Sequence, residues 1–407
     1  MKIERLNSDF GNSTNNFLID SYYFEIPTCV VEIPKDKAES HFTNTVEDVG
    51  DLLDRLLIAT TIDEEERYFL VGKLAENNPY SNSHVGKMHD KINSDIPYVA
   101  FLAAVAYYHK IKNENGEDTD EIEIEIDNMK MMLPIWLLKK EDKFSIGQTK
   151  MANRFLNEHT VRLMTSGMES ELTIRVKNSK CYIESETARW ALKYKMVNDK
   201  ENNATVIQKR IESRKFDDNE TVLVDVGGGS TDAVLLTKGL NTPVSKDSFQ
   251  VIQITPFLGA LEKLLKEKLI EYFNDLRSLE KFIVENYKNQ KYILRNQNTG
   301  DKYDLTDPIV EMLREYAQLL VYKVMEAFSN NSKGVLKFIY FGGEAPILSP
   351  YIKESVKDIT NEEIMENNHH FLGELIEEDK SEIFRPAART INLAALEILS
   401  LNEKKSV

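Results

Sequence analysis

The stretch DVGGGSTDAVLL at residues 225–236 constrains the fold of this chain most. Its three consecutive glycines lie between VLV and DAVLL, whose β-prone residues predict a β-hairpin with the glycines at its tip. A glycine-rich tip lets the backbone approach a ligand closely, and successive N–H groups there can bind an anion. The stretch lacks the lysine and the following helix of a P-loop. It therefore predicts a hairpin phosphate site, with an ordinary tight turn as the alternative for a motif found alone.

A second stretch of the same kind lies near the start of the chain. DFGNST at residues 9–14 again places an acid, a glycine and hydroxyl side chains between strand-like segments. Both halves continue from hairpin strands to helices, so the chain is predicted to repeat one supersecondary plan, and two facing hairpins would clamp a polyphosphate. Asp9 and Asp225 would repel phosphate without a cation between them. They are therefore predicted to hold Mg²⁺, through water molecules.

Length and charge exclude several classes of function. A chain of 407 residues suits two or more domains, and its formal net charge of −16 opposes direct contact with nucleic acid or an anionic membrane. A DNA partner would need an adaptor. Cys29 and Cys181 show no CxxC spacing, so both are predicted to be buried thiols of a protein in a reducing compartment. The first residues lack the apolar core of a signal peptide, which indicates a cytoplasmic protein.

Hydrophobic periodicity predicts strands followed by helices in each half. The apolar run at 98–108 is too short to cross a membrane, for which about 20 residues are needed, and is predicted to be a buried helix capped by Asp95. The acid-rich stretch at 114–127 alternates isoleucine with carboxylates and is predicted to be a strand with one solvated face rather than a metal site. Residues 171–197 are predicted to form a strand, a turn and a helix that begins near Ser185, and residues 307–329 a further helix.

Five stretches, in this order along the whole chain, resemble the motifs of the actin, Hsp70 and sugar-kinase ATPase superfamily. From the start of the chain they are the first phosphate motif DFGNST (9–14), the first connecting helix YIESETARWAL (182–192), the second phosphate motif DVGGGSTD (225–232), the adenosine motif YFGGEAPIL (340–348) and the second connecting helix AARTINLAALEIL (387–399). The resemblance implies an α/β, actin-like (ribonuclease H-like) fold. Two related domains, each a mixed β-sheet flanked by helices, would hold the nucleotide in the interdomain cleft. Domain I would span 1–185 with the C-terminal helix 385–407, and domain II would span 186–384.

Within the superfamily, the length, the opening segment and YFLVGKLAE resemble the bacterial ParM/Alp-type actins that segregate plasmids, especially those of Gram-positive bacteria. The resemblance implies an ATPase that polymerises head to tail with ATP and Mg²⁺, with GTP left open as a substitute. It also implies hydrolysis that drives filament dynamics and an adaptor protein at a plasmid centromere-like site. Two alternatives are a non-polymerising small-molecule kinase or exopolyphosphatase of the same superfamily and a regulatory or chaperone-like nucleotide-binding module.

The resemblance also assigns residues. Glu184 would orient the attacking water, with a helix cap as its alternative role, and Asp225 is the second predicted catalytic residue. The glycines of the adenosine motif could instead form an ordinary strand-to-helix turn. The charged pair Lys266 and Glu267 in LLKEKL could instead lie on a solvated helix face. The predicted nucleotide-binding residues are Asp9, Gly11, Asn12, Ser13, Thr14, Gly227, Gly228, Gly229, Ser230, Lys266, Glu267, Gly342 and Gly343.

One departure from the family pattern lies in the first phosphate motif. Actins commonly have a lysine shortly after this turn, whereas this chain has Asn15 and Asn16, and its next lysine is Lys35. Phosphate neutralisation would then rest on Mg²⁺ and backbone amides. The change bears on nucleotide affinity and hydrolysis rate without excluding ATP.

Overall fold

The computed structural model of the chain describes residues 1–76, 90–113, 122–199, 204–329 and 334–404. Within these ranges, residues 1–184 and 399–404 form one unit, and residues 185–398 form a second. Each unit has its own hydrophobic core.

One mixed sheet organises the first unit. Its strands are β1 (Lys2–Phe10), β2 (Thr14–Ile19), β3 (Tyr22–Pro27), β4 (Val30–Ile33), β5 (Leu57–Ile62), β6 (Glu65–Val71), β7 (Ile122–Leu133), β8 (Asn157–Leu163) and β9 (Ser170–Ile183). They are ordered β3-β2-β1-β7-β9-β8-β5-β6-β4. The pairs β1–β7 and β7–β9 are parallel, and the other neighbours are antiparallel.

Among the described residues, the helices of the first unit are one long buried helix and five shorter ones. They are α1 (Lys35–Glu39), α2 (Val49–Leu52), α3 (Lys73–Glu76), α4 (Asp95–Lys112), α5 (Ile135–Leu138) and α6 (Phe144–Asn153). The segment 96–110 of α4 is buried apart from Tyr98, which confirms the buried helix predicted at 98–108. In the part of the chain that is described, no helix combines the length and apolarity needed to span a membrane.

The second unit is built around a five-stranded sheet. The strands of the whole unit are β10 (Tyr194–Asp199), β11 (Ala204–Lys209), β12 (Glu220–Val226), β13 (Thr231–Leu236), β14 (Phe249–Val251), β15 (Ile293–Arg295), β16 (Lys302–Asp304), β17 (Leu336–Phe341) and β18 (His369–Phe371). The sheet order is β14-β13-β12-β17-β18, while β10–β11 and β15–β16 form separate two-stranded ribbons.

The helices of the second unit pack mainly through α10, which contacts the two helices that begin next to the glycine motifs. They are α7 (Arg189–Lys193), α8 (Phe257–Leu264), α9 (Leu276–Asn286), α10 (Thr306–Phe328), α11 (Ala345–Ile359), α12 (Glu362–Asn368), α13 (Leu372–Leu375) and α14 (Ile391–Lys404). A π-helical turn, Leu265–Leu269, extends α8. The helix predicted at 307–329 is confirmed as α10. The last helix, α14, begins in the second unit and ends in the first.

The two sheets repeat one topology. In both β3-β2-β1-β7-β9 and β14-β13-β12-β17-β18, the first two pairs are antiparallel and the last two are parallel. Strand β1 of the first sheet therefore corresponds to β12 of the second. The predicted repeat is confirmed, and it places DFGNST and DVGGGSTD at the same position in the two sheets.

Two local predictions were wrong. The side chain that caps α4 is Ser94, whose Oγ accepts a hydrogen bond from the Ile96 N–H, and Asp95 is the first helical residue. The helix predicted near Ser185 begins at Arg189, because Ser185 has a left-handed backbone with φ of 69° that a helix cannot contain. The predicted order of strand, turn and helix is confirmed, since β9 ends at Ile183 and turn residues 184–188 precede α7.

Two further predictions are confirmed where the chain is described. In β7 the side chains of Ile124 and Ile126 are buried while the acids between them face outward, and the preceding residues 114–121 lie outside the described ranges. Cys29 and Cys181 are both buried and neither forms a disulfide, and burial raises the pKa of Cys181 so that its sulfur stays protonated.

Candidate functional site

The glycine turn of the second sheet is the tip of the β12–β13 hairpin, as predicted. Val226 pairs with Thr231, and the Gly227 N–H donates to the Ser230 carbonyl at 3.0 Å, which closes the turn. The Gly228 carbonyl accepts from the Leu258 N–H of α8 at 3.0 Å. A Cβ on Gly228 would lie 2.9 Å from the Leu258 side chain, so the turn packs directly on the first turn of α8.

Asp225 lies at the end of β12 with its carboxylate held by two neutral donors. Its Oδ2 accepts from Ser185 Oγ at 3.2 Å and from Asn392 Nδ2 at 3.0 Å, and only 9% of the residue is exposed. Charged acceptors make stronger hydrogen bonds than neutral ones, so these contacts fix the orientation of the carboxylate. Neither donor was predicted from the sequence, because a single serine and a single asparagine carry no motif.

Gly342 directly follows β17 and lies against Asp225. Its φ of 97° is left-handed, and a Cβ there would lie 2.5 Å from Asp225 Oδ1 and 2.6 Å from both the N and the O of Val226. The Gly342 N–H donates to the Ala388 carbonyl at 3.0 Å. The adenosine-type motif is thus packed onto the acid of the phosphate motif, and glycine is the residue that this contact allows.

The residues that follow Gly342 bring several charged side chains together. A Cβ on Gly343 would lie 3.3 Å from Arg389 Nε, and Glu344 caps the start of α11 with 3% of its surface exposed. Burial, and secondarily the charge of Glu280, raise the pKa of Glu344 to about 8, while Arg389 acts in the opposite direction. Burial also raises the pKa of Glu280. The sequence analysis assigned no role to Glu280, Glu344 or Arg389.

The glycine turn of the first sheet joins β1 and β2. Asp9 is buried near the end of β1 and pairs across the hairpin with Asn16, just as Asp225 pairs with Asp232 in the second hairpin. Thr28 holds the turn, since its Oγ1 donates to the Gly11 carbonyl at 2.8 Å and its N–H to the Ser13 carbonyl at 2.9 Å. The turn residues Asn12, Ser13 and Thr14 are partly exposed.

The two asparagines that follow this turn are buried in β2. Asn16 Oδ1 accepts from the Tyr23 hydroxyl at 3.0 Å. Asn15 has neither its amide nitrogen nor its amide oxygen bonded to another described residue. The position where actins commonly carry a lysine is therefore occupied here by neutral amides in a buried environment.

Glu184 follows β9 directly, at the edge of the first unit. Its N–H donates to the Leu133 carbonyl at 2.9 Å, which continues the pairing of β9 with β7. Its Oε2 lies 3.7 Å from Nζ of Lys91, a lysine whose side chain is 5% exposed. Lys91 is a basic residue that the sequence analysis missed, because a lone lysine before a helix resembles any surface lysine.

Lys266 and Glu267, which the sequence predicts to bind nucleotide, belong to the π-helical turn that extends α8. Both are exposed on the π-helical turn after α8, and Lys266 Nζ pairs with Glu262 of the same helix at 2.7 Å. Within the described ranges, no hydrogen bond joins either side chain to residues 227–230 or 342–343. In the same ranges, no three His, Cys, Asp or Glu side chains form a group able to hold a metal ion.

Comparison with known proteins gives a consistent set of relatives. A family model described as the Alp7A C-terminal domain matches residues 220–375. The chain is 44% identical to the protein in a crystal structure of the actin-like protein Alp7A, covering 100% of this chain and 98% of that one with a TM-score of 0.86. No curated protein matches the chain significantly.

More distant solved structures share the fold. ParM from Bacillus thuringiensis, in a structure with ATP, is 15% identical, with 99% of each chain covered and a TM-score of 0.63. ParM from a 15-stranded Clostridium botulinum filament is 14% identical, covers 99% of this chain and 100% of that chain, and has a TM-score of 0.61.

Proposed function

This chain belongs to the Alp7A-like family of actin-like proteins, and on that premise we propose that it is a filament-forming ATPase that moves plasmid DNA through an adaptor protein. Its fold is actin-like, as predicted. ParM from Bacillus thuringiensis is known in a structure with ATP, and ParM from Clostridium botulinum in a filament. Nucleotide binding and filament formation in these relatives support the same two properties for this chain.

The observation that carries the proposal is the repeated hairpin. Asp9 and Asp225 each stand one residue before the end of equivalent strands, β1 and β12, and each precedes a turn with glycine and hydroxyl residues. An isolated glycine turn needs no ligand. Two such turns at equivalent positions of two repeated sheets, each with a buried acid, support a site for a nucleoside triphosphate with a divalent cation.

Magnesium fits the side chains that these hairpins offer. Mg²⁺ bound with a nucleotide takes one or two carboxylates, phosphate oxygens and water, and it needs no cage of protein ligands. Asp9 and Asp225 are the carboxylates that would hold it, and the bonds from Ser185 and Asn392 keep Asp225 oriented. The cation would neutralise charge on the phosphates, which is most of what phosphoryl transfer requires.

Glu184 is the residue we assign to the attacking water. It stands at the end of a central strand rather than on a loose loop, and its ion pair with buried Lys91 limits the movement of its carboxylate. An oriented carboxylate can accept the proton of a water molecule as the water attacks phosphorus.

Filament formation and an adaptor complete the proposal. A head-to-tail contact between copies whose rotation does not close produces a filament instead of a ring. The net charge of −16 disfavours direct binding to DNA phosphates, so attachment to a plasmid requires a protein that binds both partners.

Calorimetric titration with ATP and Mg²⁺ tests the nucleotide site. We expect Asp225→Asn to weaken MgATP binding by about 10- to 100-fold, since it removes the charge that holds the cation and keeps the size of the side chain. The control is Asp54→Asn, the same substitution at an exposed acid that forms an ion pair with Lys73. We expect the control to bind within about twofold of the unchanged protein.

Two results would count against this assignment. Equal affinity of the Asp225→Asn variant and the unchanged protein would remove Asp225 from the site. An equal loss in the Asp54→Asn variant would show that the effect comes from the change in net charge and not from a site at Asp225.

A further inference from the structure

Glu344 is a buried acid that the proposed mechanism leaves unused. It follows the glycine pair of β17 and caps α11, yet its side chain makes no hydrogen bond to the N–H groups of that helix. The residue is 3% exposed, and its Oε2 has no hydrogen-bond partner among the described residues. A buried carboxyl group in this condition is costly when ionised, because neither water nor a bonded donor compensates its charge.

The side chain of Glu344 points to the second phosphate hairpin. A Cβ built on Gly228 would lie 3.4 Å from Glu344 Oε1, so the carboxyl group rests against the backbone of the glycine turn. The Glu344 N–H donates to the Val226 carbonyl at 3.0 Å, one residue before the turn begins. Leu258 of α8 contacts the same glycine. The turn is therefore supported by an apolar side chain and by one acid.

The groups around Glu344 decide which form of the acid is stable there. Glu280 of α9 adds a negative charge, Arg389 before α14 adds a positive one, and Tyr316 of α10 lies near enough to interact. Arg277 acts on Glu280 rather than on Glu344 directly. The hairpin itself carries the acids Asp225 and Asp232. Because burial outweighs the attraction of Arg389, the pKa of Glu344 is raised to about 8.

We propose that Glu344, as a neutral carboxylic acid, positions the glycine turn 227–229 for phosphate, and that loss of its proton weakens nucleotide binding. The inference rests on the nucleotide-binding function proposed above. A carboxylate at this place would repel the phosphates that the turn binds, whereas the neutral acid can donate one hydrogen bond and accept others.

The charges of Glu344 and of the bound phosphate determine how nucleotide affinity changes with pH. Phosphate bound at the turn adds negative charge near Glu344, which favours its neutral form and raises its pKa further. Below about pH 8 the acid is neutral with and without nucleotide, so affinity is constant. Above that pH, binding takes up a proton, and affinity falls as pH rises, by at most roughly tenfold per pH unit.

Calorimetric titration with MgATP between pH 6.5 and 9.5, in two buffers of different protonation heat, tests this coupling. In the unchanged protein we expect binding to weaken above pH 8 with uptake of up to one additional proton. In Glu344→Gln, which keeps the shape and a donor, we expect that additional proton to vanish and the affinity to stay flat. Glu354→Gln, at an exposed acid on the same helix, is the matched control.

A second variant tests the same coupling without changing Glu344 itself. Glu280→Gln removes the charge that helps to keep Glu344 neutral, so the fall in affinity should begin at a lower pH. Identical pH profiles and proton counts in the unchanged protein and in Glu344→Gln would overturn the inference.

Urea unfolding without nucleotide separates this inference from the proposed function. An acid neutral in the folded state and ionised in the unfolded state makes stability fall as pH rises from about 4.5 to about 8. Glu344→Gln should reduce that slope. An unchanged slope would overturn the neutral state of Glu344 by itself, whereas absence of nucleotide binding at every pH would overturn the proposed function and the positioning role with it.

Discussion

Replacement of Gly342 by alanine is expected to lower the free energy of unfolding by about 2–5 kcal/mol and to abolish nucleotide binding. A left-handed backbone costs an L-residue about 1–2 kcal/mol, and a new methyl group in a packed interior costs about 1–3 kcal/mol. Here the methyl group would lie 2.5 Å from Asp225 Oδ1 and 2.6 Å from the Val226 backbone. The strand end that carries Asp225 must therefore move. Urea unfolding followed by circular dichroism measures the loss, and calorimetry with MgATP measures the binding.

The neighbouring glycine provides the control for this prediction. Gly343 lies outside the left-handed region, and its new methyl group would approach the side chain of Arg389, whose nearest atom, Nε, would lie 3.3 Å away. Because that side chain is flexible, Gly343→Ala should cost less than about 1 kcal/mol. Equal losses in the two variants would show that the Gly342 contact with Asp225 has no special importance.

Replacement of Glu184 by glutamine is expected to slow ATP hydrolysis by about 10²- to 10⁴-fold while leaving MgATP affinity within a few-fold. A positioned proton acceptor contributes rate of this order, and the amide keeps the shape of the side chain without its basicity. Steady-state phosphate release measures the rate, and calorimetry measures the affinity. Filaments formed by this variant should also persist longer after assembly, since hydrolysis is what the proposal assigns to their turnover.

A surface acid on the same strand controls for a general effect of charge. Glu171 is exposed near the start of β9, so Glu171→Gln should hydrolyse ATP at the unchanged rate. If Glu184→Gln also kept the unchanged rate, its carboxylate would have only the structural role that its ion pair with Lys91 provides.

The parts of the fold that were predictable are those specified by neighbouring residues. The β-prone residues on both sides of the glycines at 227–229 specify the β12–β13 hairpin, and the long apolar run at 98–108 specifies the middle of α4. The equivalence of β1 and β12 also followed, because both phosphate motifs stand in the same local context. Local pattern was enough for each of these elements.

The two wrong predictions both concern the residue at which a helix begins, which the local sequence leaves open. Ser94 and Asp95 are both good capping residues, and sequence alone does not choose between neighbours. At Ser185, a left-handed backbone that no nearby residue predicts delays the helix to Arg189.

The supporting contacts of the site were beyond the reach of sequence reasoning. Asn392 reaches Asp225 across 167 residues of chain, and Lys91 reaches Glu184 from before α4. Glu344 was visible as one letter in the adenosine motif, but only its burial against Gly228 distinguishes it from an ordinary acid at a helix start. Motifs located the turns, and the folded chain was needed to find what supports them.

Light scattering at ninety degrees, with pelleting of the same samples, tests most directly whether this chain is a nucleotide-driven filament protein. Purified protein would receive Mg²⁺ with ATP, ADP, GTP or no nucleotide. The proposal predicts a rapid rise and a pelleted fraction with ATP, a smaller or shorter-lived signal with ADP, and no signal without nucleotide. A flat trace in every condition, in protein that still binds ATP, would contradict it and would favour a small-molecule kinase or exopolyphosphatase.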